Sequence, residues 1–326
     1  LVQKWLVGSK RFSKFLFLDM DNVTKIKVIG VGGSGNNAVS RMMASRIKGV
    51  ELIAVNTDSQ HLQKTRAHRR VRIGRNVTKG LGTGMSSELG FKAAEEDKEL
   101  IKEAVKDADL IFITSGFGGG TGTGASPVVA SVCKELGILT VAVITMPFSF
   151  EGSRRTSLAK EGLEKIKNKV DTLISISNDK LLSSPDISVE SAFWNCDEVL
   201  RQAVVGISDL IVLPGIINID FADVKTILKN SGSALFGIGK GVGDKRAKEA
   251  VFEALNSPLT EISCDKAKGV LFNVSGGEDI SLSEINEIAG VIKEKVSPNA
   301  RIIFGAVQDE KLKKGAIKVT VIVTGF

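Results

Sequence analysis

The stretch Gly118-Gly119-Gly120-Thr121-Gly122-Thr123-Gly124 decides how the rest of this 326-residue chain is read. It follows the apolar run Leu110 to Thr114, which reads as a buried strand, and precedes Pro127 to Leu136, which reads as a helix. At a strand-to-helix turn, glycine lets the backbone approach a phosphate closely. The helix N-terminus adds unpaired N–H groups and the positive end of a dipole. Five glycines and two hydroxyls in seven residues therefore predict a backbone nest for a polyphosphate. A purely structural role explains the cluster poorly, because each glycine costs ~1 kcal/mol of chain entropy over alanine. There is no lysine in it, and GxxxxGK[ST] occurs nowhere in the chain, so this is not a P-loop.

A second cluster lies upstream, Gly30-Val31-Gly32-Gly33-Ser34-Gly35-Asn36-Asn37. It sits between a predicted strand, Ile26 to Val31, and a predicted helix, Ala38 to Ile47. Gly30, Gly32 and Gly35 satisfy GxGxxG in a strand–turn–helix context, a dinucleotide signal when taken alone. The competing explanation is a tight packing turn. Two phosphate turns on one sheet point instead to a nucleoside di- or triphosphate. Further strands are expected at Val50 to Val55, Ile138 to Thr145 and Thr172 to Ser177, with an amphipathic helix from Glu88 to Lys106. Strands alternating with helices predict an α/β fold with a mostly parallel sheet covered on both faces.

From Val189 to Ile211 the apolar residues fall at helical spacing, which predicts one long connecting helix of ~30 Å. After Pro214 the pattern becomes that of a smaller α+β unit. Helices are expected at Asp223 to Lys229 and Lys245 to Leu255, and strands at Val270 to Val274, Arg301 to Val307 and Ile317 to Thr324. Ser281 and Glu284 form a capping box for a helix reaching about Val296. The expected organisation is a basic N-terminal arm over 1–24, read as disordered, a nucleotide-binding domain over 25–188, the connecting helix over 189–211, and a C-terminal α+β domain over 212–326.

Composition removes other classes. Hydrophobic residues make up 43% and charged residues 25%, so a sizeable core is available. No apolar run reaches the ~18–20 residues of a membrane span. Three scattered cysteines without a CxxC, and two histidines without HExxH, give neither a disulfide framework nor a zinc hydrolase. A reducing, intracellular setting follows. The net charge of +7 is concentrated between Asp58 and Glu88, where Lys64, Arg66, Arg69, Arg70, Arg72, Arg75 and Lys79 meet no acidic residue. Without interleaved aromatics this reads as a solvated edge around an inward-facing Val71 and Ile73, not a nucleic-acid surface. The first eighteen residues are basic and aromatic, compatible with a transit-peptide remnant, a membrane-surface segment or a disordered arm.

The heptapeptide GGGTGTG at Gly118 to Gly124 resembles the signature of the tubulin/FtsZ family of GTPases, and the resemblance to its FtsZ branch of prokaryotic and plastid division proteins runs from about Lys25 to Phe326. IKVIGVGGSGNNAV, VNTD, PFSFEG, SNDKLL, NIDFADVKTIL, GSALFGIG, NSPL, the GG of VSGGEDISL and IIFGAV carry it further. The resemblance implies GTP or GDP as ligand. Gly32, Gly33, Ser34, Gly35, Asn36 and Asn37 would line the phosphates and ribose, and Gly118, Gly119, Gly120, Thr121, Gly122, Thr123 and Gly124 would wrap the β- and γ-phosphates, with Gly84 nearby. Glu151 and Arg155 would contact the ribose flank. Asn178 and Asp197 would bond the guanine edge, and Phe193 would stack on it. Taken without the family, Phe193 and Asp197 read as helix core and helix surface.

Asn218-Ile219-Asp220-Phe221-Ala222-Asp223 reads by itself as a helix start, with Asp220 as N-cap and Asp223 at the third position. The resemblance implies that this turn enters the nucleotide pocket of the next subunit in a head-to-tail homopolymer. There Asp220 and Asp223 would polarise the attacking water and Asn218 would help position it. Mg²⁺ would be carried mainly on the phosphates, not by protein ligands. The implied function is a GTPase whose filaments scaffold a division ring, in the cytoplasm at the membrane's inner face or in the plastid stroma. Its membrane-tethering partners would bind a C-terminal tail that this sequence, ending on its last strand, does not include. Gly82-Thr83-Gly84-Met85-Ser86-Ser87 departs from the family's GAGGNP-like loop and is expected to put Met85 near the γ-phosphate. A Rossmann-type oxidoreductase and a non-hydrolysing GTP-binding filament protein are the alternatives.

Overall fold

The computed structural model describes residues 24–45, 47, 49–181, 188–212, 215–256, 264, 267–309 and 312–326. The arm expected over 1–24 thus lies outside the described residues except for Thr24, as do Pro214 and most of NSPL.

Apolar residues alternate along the first strands and feed both faces of a sheet. In β1 (Ile26–Val31), Ile26 and Val28 join one core while Ile29 and Val31 join another. In β4 (Leu110–Gly116), Leu110 and Phe112 face the first core, Ile111 and Ile113 the second. Such two-sided burial is what a parallel sheet between helical layers requires. With β2 (Val50–Asn56), β3 (Arg69–Arg72), β5 (Leu139–Met146), β6 (Thr172–Ser177), β7 (Gly232–Val242), β8 (Gly269–Gly276), β9 (Arg301–Gln308) and β10 (Ala316–Thr324), these strands make one ten-stranded sheet of order β3-β2-β1-β4-β5-β6-β7-β10-β8-β9. Pairing is parallel from β3 to β7 and antiparallel on both sides of β10. The region after residue 214 therefore extends the same sheet.

The helices α1 (Gly32–Ala44), α7 (Val189–Val212) and α8 (Phe221–Leu228) cover one face. The other is covered by α3 (Ser87–Glu96), α4 (Lys98–Val105), α5 (Gly120–Glu135) and α6 (Ser153–Lys167). A third core lies between β7, β8 and β10 and the helices α9 (Arg246–Leu255) and α10 (Leu282–Lys295). The short α2 (Ser59–Lys64) follows β2, capped by Asp58.

Several boundaries differ from the sequence expectation. Both α1 and α5 start inside the glycine clusters, so Gly32 to Asn37 and Gly120 to Gly124 are helical first turns and not loops. The expected 88–106 helix breaks at Asp97, whose carboxylate is turned aside to accept from the backbone N–H of Gly74 at 2.7 Å. The expected capping box of α10 is present with both of its bonds. In the basic segment, Val71 and Ile73 are buried as expected.

Candidate nucleotide site

The strand order reverses between β1 and β4, and both glycine clusters leave the sheet there. Crevices at the carboxyl ends of parallel strands form at such switch points. A cavity of about 450 Å³ opens here, lined from the ends of β1, β4, β5 and β6 and from α7.

One end of the cavity is made of backbone. Gly33 and Ser34 from α1 meet Gly119, Gly120, Thr121 and Gly122 from α5. Neither helix has a side-chain N-cap or an acidic residue in its first turn. By contrast α2, α3 and α10 are capped by Asp58, Ser86 and Ser281. Two uncapped N-termini side by side leave N–H groups and positive dipole ends for an anion. The two turns pack directly on each other: Gly32, at φ 74°, would drive a Cβ to 2.8 Å from the Gly122 nitrogen. Thr121 Oγ1 is held by Thr57 Oγ1 at 2.7 Å and Thr83 Oγ1 at 3.3 Å.

The other end is made of side chains. Phe193 and Asp197 stand one turn apart on α7. Phe193 is 42% exposed and meets Phe148 edge-on at 5.3 Å. Asn178 is buried, and its Oδ1 has no hydrogen-bond partner, an orphan acceptor at the cavity wall. Asp197 is 6% exposed and accepts from Arg41 Nε at 3.3 Å, while the Arg41 guanidinium lies 5.3 Å from the Trp194 ring centroid. Burial pushes the Asp197 carboxyl up to about 6, against the pull of Arg41. Burial, with the charge of Asp197, also pushes the Cys196 thiol up to about 12, so it lines the wall as a neutral group. Between the ends lie Asn37 and the Glu151–Arg155 ion pair, in which Glu151 also accepts from the Phe148 N–H at 2.9 Å.

Of the residues expected at the nucleotide, Gly33, Ser34, Asn37, Gly119, Gly120, Thr121, Gly122, Glu151, Arg155, Asn178, Phe193 and Asp197 line the cavity. Gly32, Gly35, Asn36, Gly118, Thr123 and Gly124 stand behind it. Gly35 would place a Cβ 2.3 Å from Thr114 O, and Gly124 one 2.0 Å from Ser87 O, so close backbone packing explains them. Thr123 Oγ1 accepts from the Gly118 N–H at 2.9 Å and fixes the turn. Gly84 and Met85 line an adjoining groove, and Thr83 is the member of that loop that reaches the cavity. Thr145 and Cys196 are wall residues that the motifs did not mark.

Asn218, Asp220 and Asp223 do not line the cavity, and all three are exposed. Asp220 occupies the N-cap position of α8, yet its side chain makes no capping bond, contrary to the isolated reading of that turn. Asn218 Oδ1 accepts from the Gly215 N–H at 2.6 Å. Among the described residues no helix is long and apolar enough to cross a membrane.

Residues 25–186 match the sequence model of the tubulin/FtsZ family GTPase domain, and residues 232–326 match that of the FtsZ family C-terminal domain. Among solved structures, an empty FtsZ dimer from M. jannaschii is similar, with TM-score 0.91 and 45% identity over 98% of this chain and 93% of that one. A point variant of FtsZ from M. jannaschii gives 0.90 and 46% over 94% and 92%. A GTPγS-bound protofilament of CetZ2 from Haloferax volcanii, at 21% identity over 92% of each chain, shares the fold with TM-score 0.78. With both halves matched and the identity spread over nearly its whole length, the chain belongs to the tubulin/FtsZ family of GTPases, in its FtsZ branch.

Proposed function

We propose that this chain binds GTP in the cavity, hydrolyses it only when a second copy docks head to tail, and so builds the filaments of a division ring at the cytoplasmic or stromal face of a membrane. The triphosphate lies at the backbone end, on the N-termini of α1 and α5. The ribose lies against Asn37, Glu151 and Arg155. Guanine stacks on Phe193, gives its N1–H and amino group to Asp197, and meets Asn178. Adenine offers an acceptor where the site holds a buried carboxylate, and is rejected. Mg²⁺, when bound on the phosphates, neutralises their charge; the hydroxyls of Ser34 and Thr121 are the hard oxygen donors at that end, which suits this ion.

The observation that carries the reading is a division of labour. The cavity's two lining carboxylates, Glu151 and Asp197, are tied to Arg155 and Arg41, and neither stands at the phosphate end. Asp220 and Asp223 are exposed on another surface without a capping role. In a head-to-tail contact they serve the neighbour's nucleotide, with Asn218 helping to place the water and backbone N–H groups meeting the γ-phosphate charge. Such contacts repeat without closing and give open filaments.

Mixing tests this. Asp223→Ala keeps its pocket and loses its donated carboxylate; Thr121→Arg keeps the carboxylates and fills the phosphate end. Each alone should be nearly inactive, and the mixture should recover part of the GTPase rate. A folded Asp223→Ala protein that turns over GTP at the parental rate sinks the assignment; one that binds GTP and assembles, with no recovery on mixing, leaves the shared site unsupported.

A further inference from the structure

His61, outside the cavity, is bonded to the one amide side chain in the cavity's middle, and the polarity of that bond is fixed from a distance. The Asp58 backbone N–H can only donate, and it donates to Asn56 Oδ1 at 3.2 Å. The other end of the Asn56 amide is therefore the nitrogen, which lies 3.3 Å from His61 Nδ1. A second contact agrees. Asn36 Oδ1 accepts from the same Asn56 nitrogen at 2.9 Å once its own nitrogen faces the Gly30 carbonyl at 2.7 Å, the only orientation that satisfies both. Facing a donor, His61 Nδ1 must be the unprotonated acceptor, so the proton of the neutral ring sits on Nε2. Nε2 lies 3.2 Å from Asn37 Oδ1 and donates to it. That leaves the Asn37 amide nitrogen, with two hydrogens and no partner among the described residues, on the cavity side.

Position on α1 says what those hydrogens meet. Ser34, Asn37 and Arg41 are spaced three and four apart and share one helix face. Ser34 is at the phosphate end, and Arg41 holds Asp197 at the base end. Asn37 lies between them, where a nucleoside triphosphate has its sugar hydroxyls.

We infer that His61 is a positioning residue for nucleotide binding: through the relay Asp58–Asn56–His61–Asn37 it holds the Asn37 amide with its N–H donors turned to the sugar oxygens of the bound nucleotide. The inference rests on the cavity being the GTP site. The relay starts at a backbone amide, so it has one polarity only. Without the ring, the Asn37 amide is free to rotate, and its N–H donors are no longer held toward the sugar oxygens.

Two measurements test this on the whole chain. Long-range proton–nitrogen spectra of the histidine-labelled protein near pH 8 report the tautomer directly. His68 serves as an internal reference, since its Nδ1 accepts from the Leu52 N–H at 2.9 Å and must also be unprotonated. His61 should show the same Nε2–H pattern. A proton on His61 Nδ1 overturns the relay. In parallel, GTP titrations should show His61→Leu binding about three- to tenfold more weakly, the range of one neutral hydrogen bond. His61→Gln, whose amide nitrogen reaches the Nε2 position, should recover most of that loss. Parental affinity in His61→Leu, or equal weakness in both variants, overturns the positioning role. Thr121→Arg is run beside them: if it binds GTP as the parent does, the cavity assignment has failed and the inference with it, whatever His61 does.

Discussion

The two ends of the cavity solve the same problem with different materials. The end proposed for the phosphates is backbone: uncapped first turns of α1 and α5, with no ionisable side chain in either. The end proposed for the base is side chain: a half-exposed ring, an orphan amide oxygen and a buried carboxylate held by one arginine. A backbone site has no pKa and tolerates few changes of shape. A side-chain site discriminates, and it titrates.

The sharpest way to break the contrast is to block the backbone end. Thr121→Arg should lower the affinity for GTP and GDP alike by about three orders of magnitude, a loss of ~4 kcal/mol, read by calorimetry. Loss of GTP binding with GDP binding kept would show that the two nucleotides do not share this end. Next comes shape. Gly124→Ala forces a methyl to within 2.0 Å of Ser87 O and 2.7 Å of the Phe91 nitrogen. It should destabilise the fold by about 3 kcal/mol, measured by denaturant unfolding. Gly33→Ala, with open space around its Cβ, should fold as well as the parent while binding GTP less tightly.

The third test uses pH. The folded Asp197 carboxyl sits near 6, above its ordinary value of 3.8, with burial as the main cause. If guanine is read by Asp197 as proposed, it needs the carboxylate ionised, so below pH 6 the affinity should fall by about tenfold per pH unit. Asp197→Asn should lack this component, which separates it from protonation of the phosphates. Stability moves the other way. A raised pKa contributes stability that is full below the unfolded value and lost as pH rises through about 6. Affinity and stability should therefore diverge across the same window, and parallel loss of both would show that general unfolding is the cause. The smallest effect is at the rim. Met85 holds φ 66°, a left-handed backbone that disfavours a side chain. Met85→Gly should stabilise by about 0.5–1 kcal/mol after the glycine's greater unfolded entropy is subtracted; a lower unfolding midpoint would count against that reading of the loop.

Much of the frame was legible because burial leaves a mark on sequence. The apolar runs at Ile26, Thr172 and Ile317 give strands within a residue or two of the observed ends, and Ser281 with Glu284 gives the start of α10. β7 was not, because half of Gly232 to Gly241 looks like a loop. Gly239 and Gly241 let α9 lie on the strand: a Cβ at Gly239 would stand 1.9 Å from Ala250 O, and one at Gly241 2.0 Å from Arg246 O. α6 was missed because only Ala159, Gly162 and Ile166 of its fifteen residues are buried, too narrow a stripe to show a period. The glycine clusters lie at the predicted strand-to-helix junctions, but as helical first turns instead of loops. Gly33 and Gly119 face open space at the cavity, while Gly120, Gly122 and Gly124 are there because backbone passes within a methyl's reach. His61 carries no motif, and neither VNTD nor the loop at residues 82–87 marks Thr57 or Thr83 as partners of Thr121; only the order β2-β1-β4 brings them together.

The helix α7 has a consequence for any polymer built from this chain. It runs 24 residues, from the Phe193 and Asp197 end to within a few residues of Asn218. At ~1.5 Å per residue it is a rod of ~36 Å. On the proposed reading, with the base near one tip and the donated carboxylates past the other, its length sets the gauge of the track. On that reading each added subunit advances by roughly that distance for its turn to reach the next nucleotide. A one-residue deletion in α7 would take part of its buried stripe, Leu200 to Leu210, out of register with the core. It would also rotate one tip by ~100° against the other, so that pockets and carboxylates no longer come into phase.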